Sequence, residues 1–375
     1  MKKLRIAFCL RDMQMGGVES VLIRTLDKLM KHKNIELSVI TYVDIKTRVY
    51  REYFKKHPQI KLCSLYPCKW LGTDLPHFFV WRLMILAARK IYRETKRIFV
   101  LNKFKDFDVL IDYHDFGFHD ELKYIHGVKK IAWFHSSVNV FAKRRFIDYI
   151  PYYDNLVVLT DACLCDLSNM YPKHKAKMVR IYNLVDVENI TKLANEKRKI
   201  REKYFCCVSR LSGDKDIKTL MDAFDVFESK NKGVKLVVVG DGDKAKEYKN
   251  YANTLKSGKQ IIFVGAQRNP FEYMRYALAN VLSSYGEGLP TVLVESMIVG
   301  TVNIASDCKY GPREILLDGR AGLLFEPGNV EQLAQCMNDV YNEKVDVKHM
   351  AANATKSLNR FDSDKIVDEI ISLIS

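Results

Sequence analysis

The sequence predicts an α/β protein of two Rossmann-like, doubly wound domains facing across a cleft, and three observations carry that prediction. The chain has 375 residues, more than one hydrophobic core usually organises. Short apolar runs alternate with longer stretches of helical period, the pattern of parallel strands and their crossover helices. That pattern halts at the charged stretch 191–203, "TKLANEKRKIREK", and then begins again. The expected division is an N-terminal domain over 1–195, a C-terminal domain over 196–360, and a last helix over 361–375 able to cross back to the first domain. Ligands in such sheets bind beyond the carboxyl ends of the strands, so the cleft is the expected site.

In the first half, the runs that read as buried strands are 4–10, 36–42, 108–114, 129–135, 155–160 and 177–183. Between the first two, "GVESVLIRTLDKLMKH" places apolar residues at 18, 21, 22, 26, 29 and 30, a helix period. After the charged stretch, strands are expected at 204–211, 234–240, 259–265, 279–285 and 301–307. Helices fall between or after them at about 217–230, 243–255, 270–277, 291–299 and 329–342. The closing "DSDKIVDEIISLIS" is amphipathic, with Asp362 or Ser363 as its cap.

Three loops attract chemistry. Gly16 and Gly17 follow the first strand and precede a helix; glycines admit close backbone approach and helix-start N–H groups favour negative charge, yet an ordinary tight turn explains them equally. Arg210 ends a strand and Lys215 lies five residues on, just before a helix. Two fixed cations at a sheet's carboxyl edge suit a diphosphate, Arg as a planar fork and Lys as a point charge, with solvated surface charge as the plain alternative. The third loop is "SYGEGLPTVLVESMIVG" (284–300), where Glu287 and Glu295 flank a helix start. Pro290 suits the first helical position and Gly300 the place past the last turn. The backbone of Gly288, Leu289, Pro290 and Thr291 then offers N–H groups to a phosphate or a sugar hydroxyl. Glu287 could instead merely complement the helix dipole.

Other classes are disfavoured. Nine cysteines, odd in number and irregularly spaced, read as free thiols of a reducing cytoplasm. None has zinc spacing, and Cys163 and Cys165 face apart on one helix, so no metal site is expected. The N-terminus reads as a strand rather than a secretion signal, and no window approaches the length of a membrane span. Nucleic-acid binding finds neither aromatic–basic interleaving on successive strands nor zinc-finger spacing, so no nucleic acid is expected as partner.

Taken together, these motifs resemble the family-4 retaining glycosyltransferases of GT-B fold, and in particular their members that build bacterial polysaccharide and lipopolysaccharide. The family's E-x7-E motif is matched by Glu287 and Glu295 in "EGLPTVLVE". "GGVE" (16–19), "YNLVD" (182–186), "SRLSGDKDIKTLMDAF" (209–224), "VVVGDGD" (237–243), "IIFVGAQRNPFEYM" (261–274) and "YGPREILLDGRAGLLFEPGN" (310–329) resemble it in the expected order. The resemblance implies transfer of a sugar from a nucleotide-sugar donor, UDP-linked in the main expectation, to a glycan or lipid-linked glycan, with retention and without a metal or other cofactor. It implies that Arg210 and Lys215 bind the diphosphate, that Gly240 and the 288–291 backbone assist, that Glu295 holds the ribose, and that Glu287 lies near the donor sugar. It also implies a histidine near the reacting carbon. His114 and His135 both end strands, and the sequence does not choose between them. Asp115 would orient or contact the acceptor, as would Gly16 and Gly17. A nucleotide-sugar epimerase or another GT-B enzyme stands as the alternative, and a non-enzymatic anion-binding module as the second.

The net charge of +15 is concentrated in the first half, where 37 Lys and Arg face 21 Asp and Glu within residues 1–200. Within 76–100, Arg82, Arg89, Arg93 and Lys96 share one face of a helical pattern, with Phe79, Trp81, Met84, Ile85 and Tyr92 between and opposite. Such a helix suits either the surface of an anionic membrane or the outer layer of a Rossmann sheet. A peripheral enzyme at the cytoplasmic face of the membrane is the expectation.

Overall fold

The computed structural model describes residues 3–14, 16–66, 78–196 and 200–375, with backbone alone at 93 and 96–100. By contacts the chain divides into two units. One is built from Met1–Leu159, Cys163–Ile181 and Val367–Ser375, the other from Thr160–Ala162 and Tyr182–Ile366.

The first unit holds seven parallel strands: β1 (Leu4–Leu10), β2 (Ile35–Thr41), β3 (Lys61–Ser64), β4 (Val109–Asp112), β5 (Lys129–Trp133), β6 (Asn155–Val158) and β7 (Met178–Arg180), in the order β3-β2-β1-β4-β5-β6-β7. The second holds six: β8 (Tyr204–Val208), β9 (Lys235–Val239), β10 (Ile261–Gly265), β11 (Asn280–Leu282), β12 (Asn303–Ser306) and β13 (Gly322–Phe325), in the order β10-β9-β8-β11-β12-β13. Strand order reverses once in each sheet, between β1 and β4 and between β8 and β11. Chains leaving the ends of such neighbours run apart and open a crevice there.

The local chemistry explains these elements. β8 and β9, "YFCCV" and "KLVVV", are almost wholly apolar runs buried on both faces, as a sheet covered by helices demands. The helix Ile217–Lys230 buries Leu220, Met221, Phe224 and Phe227 against that sheet. Each such side chain is worth roughly 2 kcal/mol of apolar transfer. Asp216 starts that helix in a left-handed conformation (φ 46°), and its carboxylate accepts from Thr219 N. The helix Ser363–Ile374 begins at Asp362, whose Oδ1 accepts from the N–H groups of Asp364 and Lys365. This settles the choice between Asp362 and Ser363.

Several expectations need correction. β3 and β13 were not expected as strands: β3 is a short, half-exposed edge without an apolar run, and β13 is four residues between turns. The helix Thr291–Ile298 has Pro290 as its cap, one position before the first helical residue, while Gly300 takes the left-handed conformation (φ 82°) after it, as expected. On the helix Phe79–Asn102, Arg82 is exposed but Arg89 is buried, whereas Phe79, Trp81, Met84 and Ile91 are exposed. This helix does not present one face of free cations over a buried apolar face. The side chains of Arg93 and Lys96, and Cys68, lie outside the described residues. The other eight cysteines are free thiols.

Candidate active site

The crevice of the second sheet brings the two sharpest motifs together. The loop after β8 carries Arg210 and Lys215, and the loop after β11 carries Glu287. Lys215 Nζ lies 2.8 Å from Glu287 Oε1 and 3.5 Å from Asp214 Oδ2. Both members of the pair are largely buried, at 15% and 11% side-chain exposure. Burial alone would push the Lys215 ammonium down; the charge and hydrogen bond of Glu287, helped by Asp214, outweigh it and hold the pKa above its usual value. Arg210 is exposed, and its charge opposes that of Lys215, so two cations share the crevice. Asp214 resists the upward push of burial through hydrogen bonding from Ser212 Oγ (2.6 Å) and the charge of Lys215, and its pKa falls.

Close backbone approach fixes these loops. Gly240 takes φ 143°, and a Cβ there would stand 1.8 Å from Ser209 O, so only glycine lets the ends of β8 and β9 meet this tightly. Gly311 takes φ 93°, and its Cβ would stand 2.4 Å from Pro290 Cδ and 3.0 Å from Gly288 O. The segment 288–290 is thus pressed into place from outside its own motif. The helix it opens has no side-chain cap, so the N–H groups of its first turn have no side-chain acceptor. Glu295 lies buried five residues into that helix.

The first unit is furnished differently. His114 and His135 follow β4 and β5, and Asp115 lies between them in the site: its Oδ1 accepts from His135 N at 2.6 Å and its Oδ2 from Ser136 Oγ. Asp115 holds a left-handed backbone (φ 50°), as does Phe116. Burial pushes the pKa of both histidines down, that of His135 to about 4, against the opposing charge of Asp115. His114 Nδ1 and His135 Nε2 are buried and unpartnered. Both rings are therefore neutral near pH 7. Gly16 caps the helix Gly17–Leu29 through extended backbone, but Glu19 folds back beside it and its Oε1 accepts from Gln14 N. A Cβ on Gly16 would stand 2.7 Å from Glu19 Oε2. That helix start already has a carboxylate of the chain's own, which the glycine motif did not disclose.

Deeper in the first unit, Asp112 is fully buried and accepts from Tyr153 Oη (2.7 Å) and Phe118 N (3.0 Å). Burial lifts its pKa to about 7. Glu121 accepts from Tyr42 Oη and Tyr66 Oη at 2.7 and 2.6 Å. A cavity of about 420 Å³ beside Glu121 is lined by the cations Arg89, Lys90 and Lys123 and by the carboxylates Glu94, Asp120 and Glu121. That balance selects neither an anion nor a cation. Among the described residues no cluster suits a metal ion, and no helix is long and apolar enough to cross a membrane.

Sequence reasoning missed Ser283, Ser284 and Ser306. The first two follow β11 and the third ends β12; Ser283 Oγ ties the loop after β11 to Lys215 O, Ser284 Oγ donates to Glu287 within its own loop, and Ser306 Oγ holds Ser284 O. Serines at the end of an apolar strand gave no signal of that task. Gly311 stood inside a quoted motif, but its contact with Pro290 is long-range and invisible in one sequence.

A parallel sheet of this order, with a cation–carboxylate pair and an uncapped helix start at its switch point, defines a Rossmann-type protein equipped for an anionic ligand. Residues 189–357 match the family model "Glycosyl transferases group 1". That stretch lies within the second unit, and the protein is a glycosyltransferase. It is 24% identical over 342 residues to an uncharacterized glycosyltransferase of Methanocaldococcus jannaschii, covering 76% of this chain and 83% of that protein. It is 30% identical over 175 residues to the lipopolysaccharide 1,6-galactosyltransferase of Salmonella typhimurium, covering 45% of this chain and 47% of that protein. The chain thus aligns with about half the length of the second relative. Among solved structures, Anabaena HepE in complex with UDP and glucose superposes with a TM-score of 0.78 at 18% identity, over 99% of both chains. That likeness shows the fold, and the fold is GT-B.

Proposed function

We propose that the protein transfers a hexose from a UDP-linked donor to a hydroxyl of a glycan or lipid-linked glycan, with retention of anomeric configuration. The observation that carries this reading is the pairing of Lys215 with Glu287 at the switch point of the second sheet, beside Arg210 and an uncapped helix start. The UDP and glucose named with the Anabaena structure and the lipopolysaccharide named for the Salmonella relative support the choice of donor and acceptor.

In this reading Arg210, Lys215 and the N–H groups at 288–291 receive the donor diphosphate. Gly240 keeps the neighbouring backbone close, Glu295 takes the ribose hydroxyls and Glu287 takes a hydroxyl of the sugar. The bond between the anomeric carbon and the diphosphate oxygen breaks. The acceptor oxygen bonds to that carbon on the face the diphosphate leaves, and its proton passes to the departing oxygen. Fixed cations and helix N–H groups meet the charge growing on the leaving group, the work a metal does in other sugar transferases. His114 and His135, neutral and partly unpartnered, are suited to hydrogen-bond an uncharged sugar, and Asp115 orients the segment that holds them. Gly16 and Gly17 permit close approach of the acceptor, with Glu19 favouring hydroxyls over phosphate there.

The acceptor side further suits a membrane-bound glycan at the cytoplasmic face. Phe79, Trp81, Met84 and Ile91 are exposed on one helix within the strongly basic half of the chain. Each exposed Lys or Arg adds about 1 kcal/mol of attraction to an anionic bilayer. Liposome flotation is expected to show binding to anionic vesicles and little to neutral ones; equal binding to both, or none, overturns the membrane assignment. The donor assignment is tested by a thermal-shift panel of UDP-, GDP-, ADP- and CMP-sugars, with UDP-sugars expected to stabilise most. Stabilisation by none of them overturns it.

A further inference from the structure

We infer that Ser284 is a positioning residue that sets which oxygen of Glu287 is offered to the donor sugar. The inference rests on the donor-site reading above and deepens it. Ser284 is fully buried, and its Oγ donates to Glu287 Oε1 at 2.6 Å. Lys215 Nζ donates to the same oxygen at 2.8 Å. Glu287 Oε2 receives no hydrogen bond among the described residues, and the side chain keeps 11% exposure. Two donors on one oxygen fix the carboxylate's rotation, and the unengaged oxygen is the one able to accept from a sugar hydroxyl.

The frame around Ser284 is itself tied down. Ser306 Oγ donates to Ser284 O at 2.6 Å, Ser283 Oγ to Lys215 O at 2.9 Å, and Tyr285 N to Asp214 O at 3.0 Å. The loop after β11 and the loop after β8 are thus bound to each other through backbone and hydroxyl groups, independently of the ion pair. Lys215 alone could hold a freely rotating carboxylate by either oxygen. Ser284 removes that freedom, so the group reaches a bound sugar already oriented, with less entropy lost on binding.

The test compares affinities for UDP and for whichever of UDP-glucose, UDP-galactose and UDP-N-acetylglucosamine shifts the wild-type melting temperature most. Ser284→Ala is expected to weaken the UDP-sugar about tenfold, the worth of one charge-assisted hydrogen bond, while UDP affinity stays within about twofold. Among monodeoxy analogues of the sugar, the one the wild type penalises most is expected to lose most of that penalty in Ser284→Ala. Thr301→Val, which removes a buried hydroxyl of the second unit that donates to Met274 O and touches neither loop, is expected to lower the melting temperature but keep the UDP to UDP-sugar ratio. Equal ratios in Ser284→Ala and wild type overturn the inference, as does the same change in Thr301→Val. If Ser284→Ala does not fold, Ser284→Cys keeps the size with a weak donor; an intermediate ratio supports the inference and an unchanged one overturns it. A wild type that binds none of these nucleotides overturns the donor reading itself.

Discussion

The two sheets share one strand order at their reversal points, but the crevices there are furnished in opposite ways. Between β8 and β11 the loops carry an exposed Arg210 and the pair Lys215 and Glu287, which is kept largely out of water and locked from behind by serine hydroxyls. The loops after β4 and β5 carry the neutral imidazoles of His114 and His135, the loop after β1 carries Arg11 and Asp12, which act on His114 in opposite senses, and other carboxylates are engaged by the protein itself: Asp115 ties down His135 and Ser136, Glu19 folds onto Gln14, and Asp112 is sealed beneath with Tyr153. Topology makes both crevices; the loops decide what each can hold. In the function proposed above, one receives the donor diphosphate and the other the uncharged, hydroxyl-rich acceptor.

That contrast predicts a graded series of effects. The largest is expected from Arg210→Ala combined with Lys215→Ala, which removes the cations proposed to meet the departing diphosphate. Transfer measured with a labelled UDP-sugar should fall by on the order of 10³ or more. Lys215→Ala alone also strands a largely buried carboxylate and should lower stability by about 3 kcal/mol in denaturant unfolding. If transfer survives the double substitution, the charged crevice is not the donor site.

Gly311→Ala should act next most strongly. It forces a side chain into a left-handed backbone and against Pro290 Cδ, so the 288–290 segment must move. A loss of about 1–3 kcal/mol of stability and a matching rise in KM for the donor are expected, with kcat less affected. An unchanged donor KM would separate this segment from the site.

A smaller effect distinguishes the first crevice. Asp112 is raised from 3.8 to about 7, so the folded state keeps a proton the unfolded chain has released; that contribution is full below about 4 and is lost as pH climbs to about 7. His119 and His135, lowered from 6.5 to about 4 by burial, work the other way, adding stability as pH rises between about 4 and 6.5. Asp112→Asn removes only the first contribution. Its melting temperature should therefore climb more steeply from pH 4 to 7 than that of the wild type; parallel curves would mean that Asp112 is ionised throughout.

Much of the second crevice is legible in the amino-acid sequence alone. Arg210, Lys215 and Glu287 stand in short local motifs, each beside a strand and a helix with clear periods, and local patterns survive in a single sequence. The hydroxyl lock is not legible there, because Ser284 and Ser306 meet across 22 positions and look like any small residues in an apolar strand. Gly311 against Pro290 is hidden for the same reason. In the first unit the misreadings share another cause. Apolar periodicity announces the helix at Phe79–Asn102, but which of its faces meets protein is decided by distant packing, and Arg89 is buried while Phe79 and Trp81 are not. The "GGVE" motif displays its glycines, while Glu19 folding over them depends on a rotamer.

In the proposed function the nucleotide diphosphate is held between β8 and β11 and not between β1 and β4. Calorimetric titration of UDP into the wild type, into Arg210→Ala/Lys215→Ala, and into His114→Ala/His135→Ala separates the two crevices. Binding is expected to be lost in the second protein and kept within about threefold in the third, the range in which no charged contact has been removed. Binding kept in the second and lost in the third would contradict it.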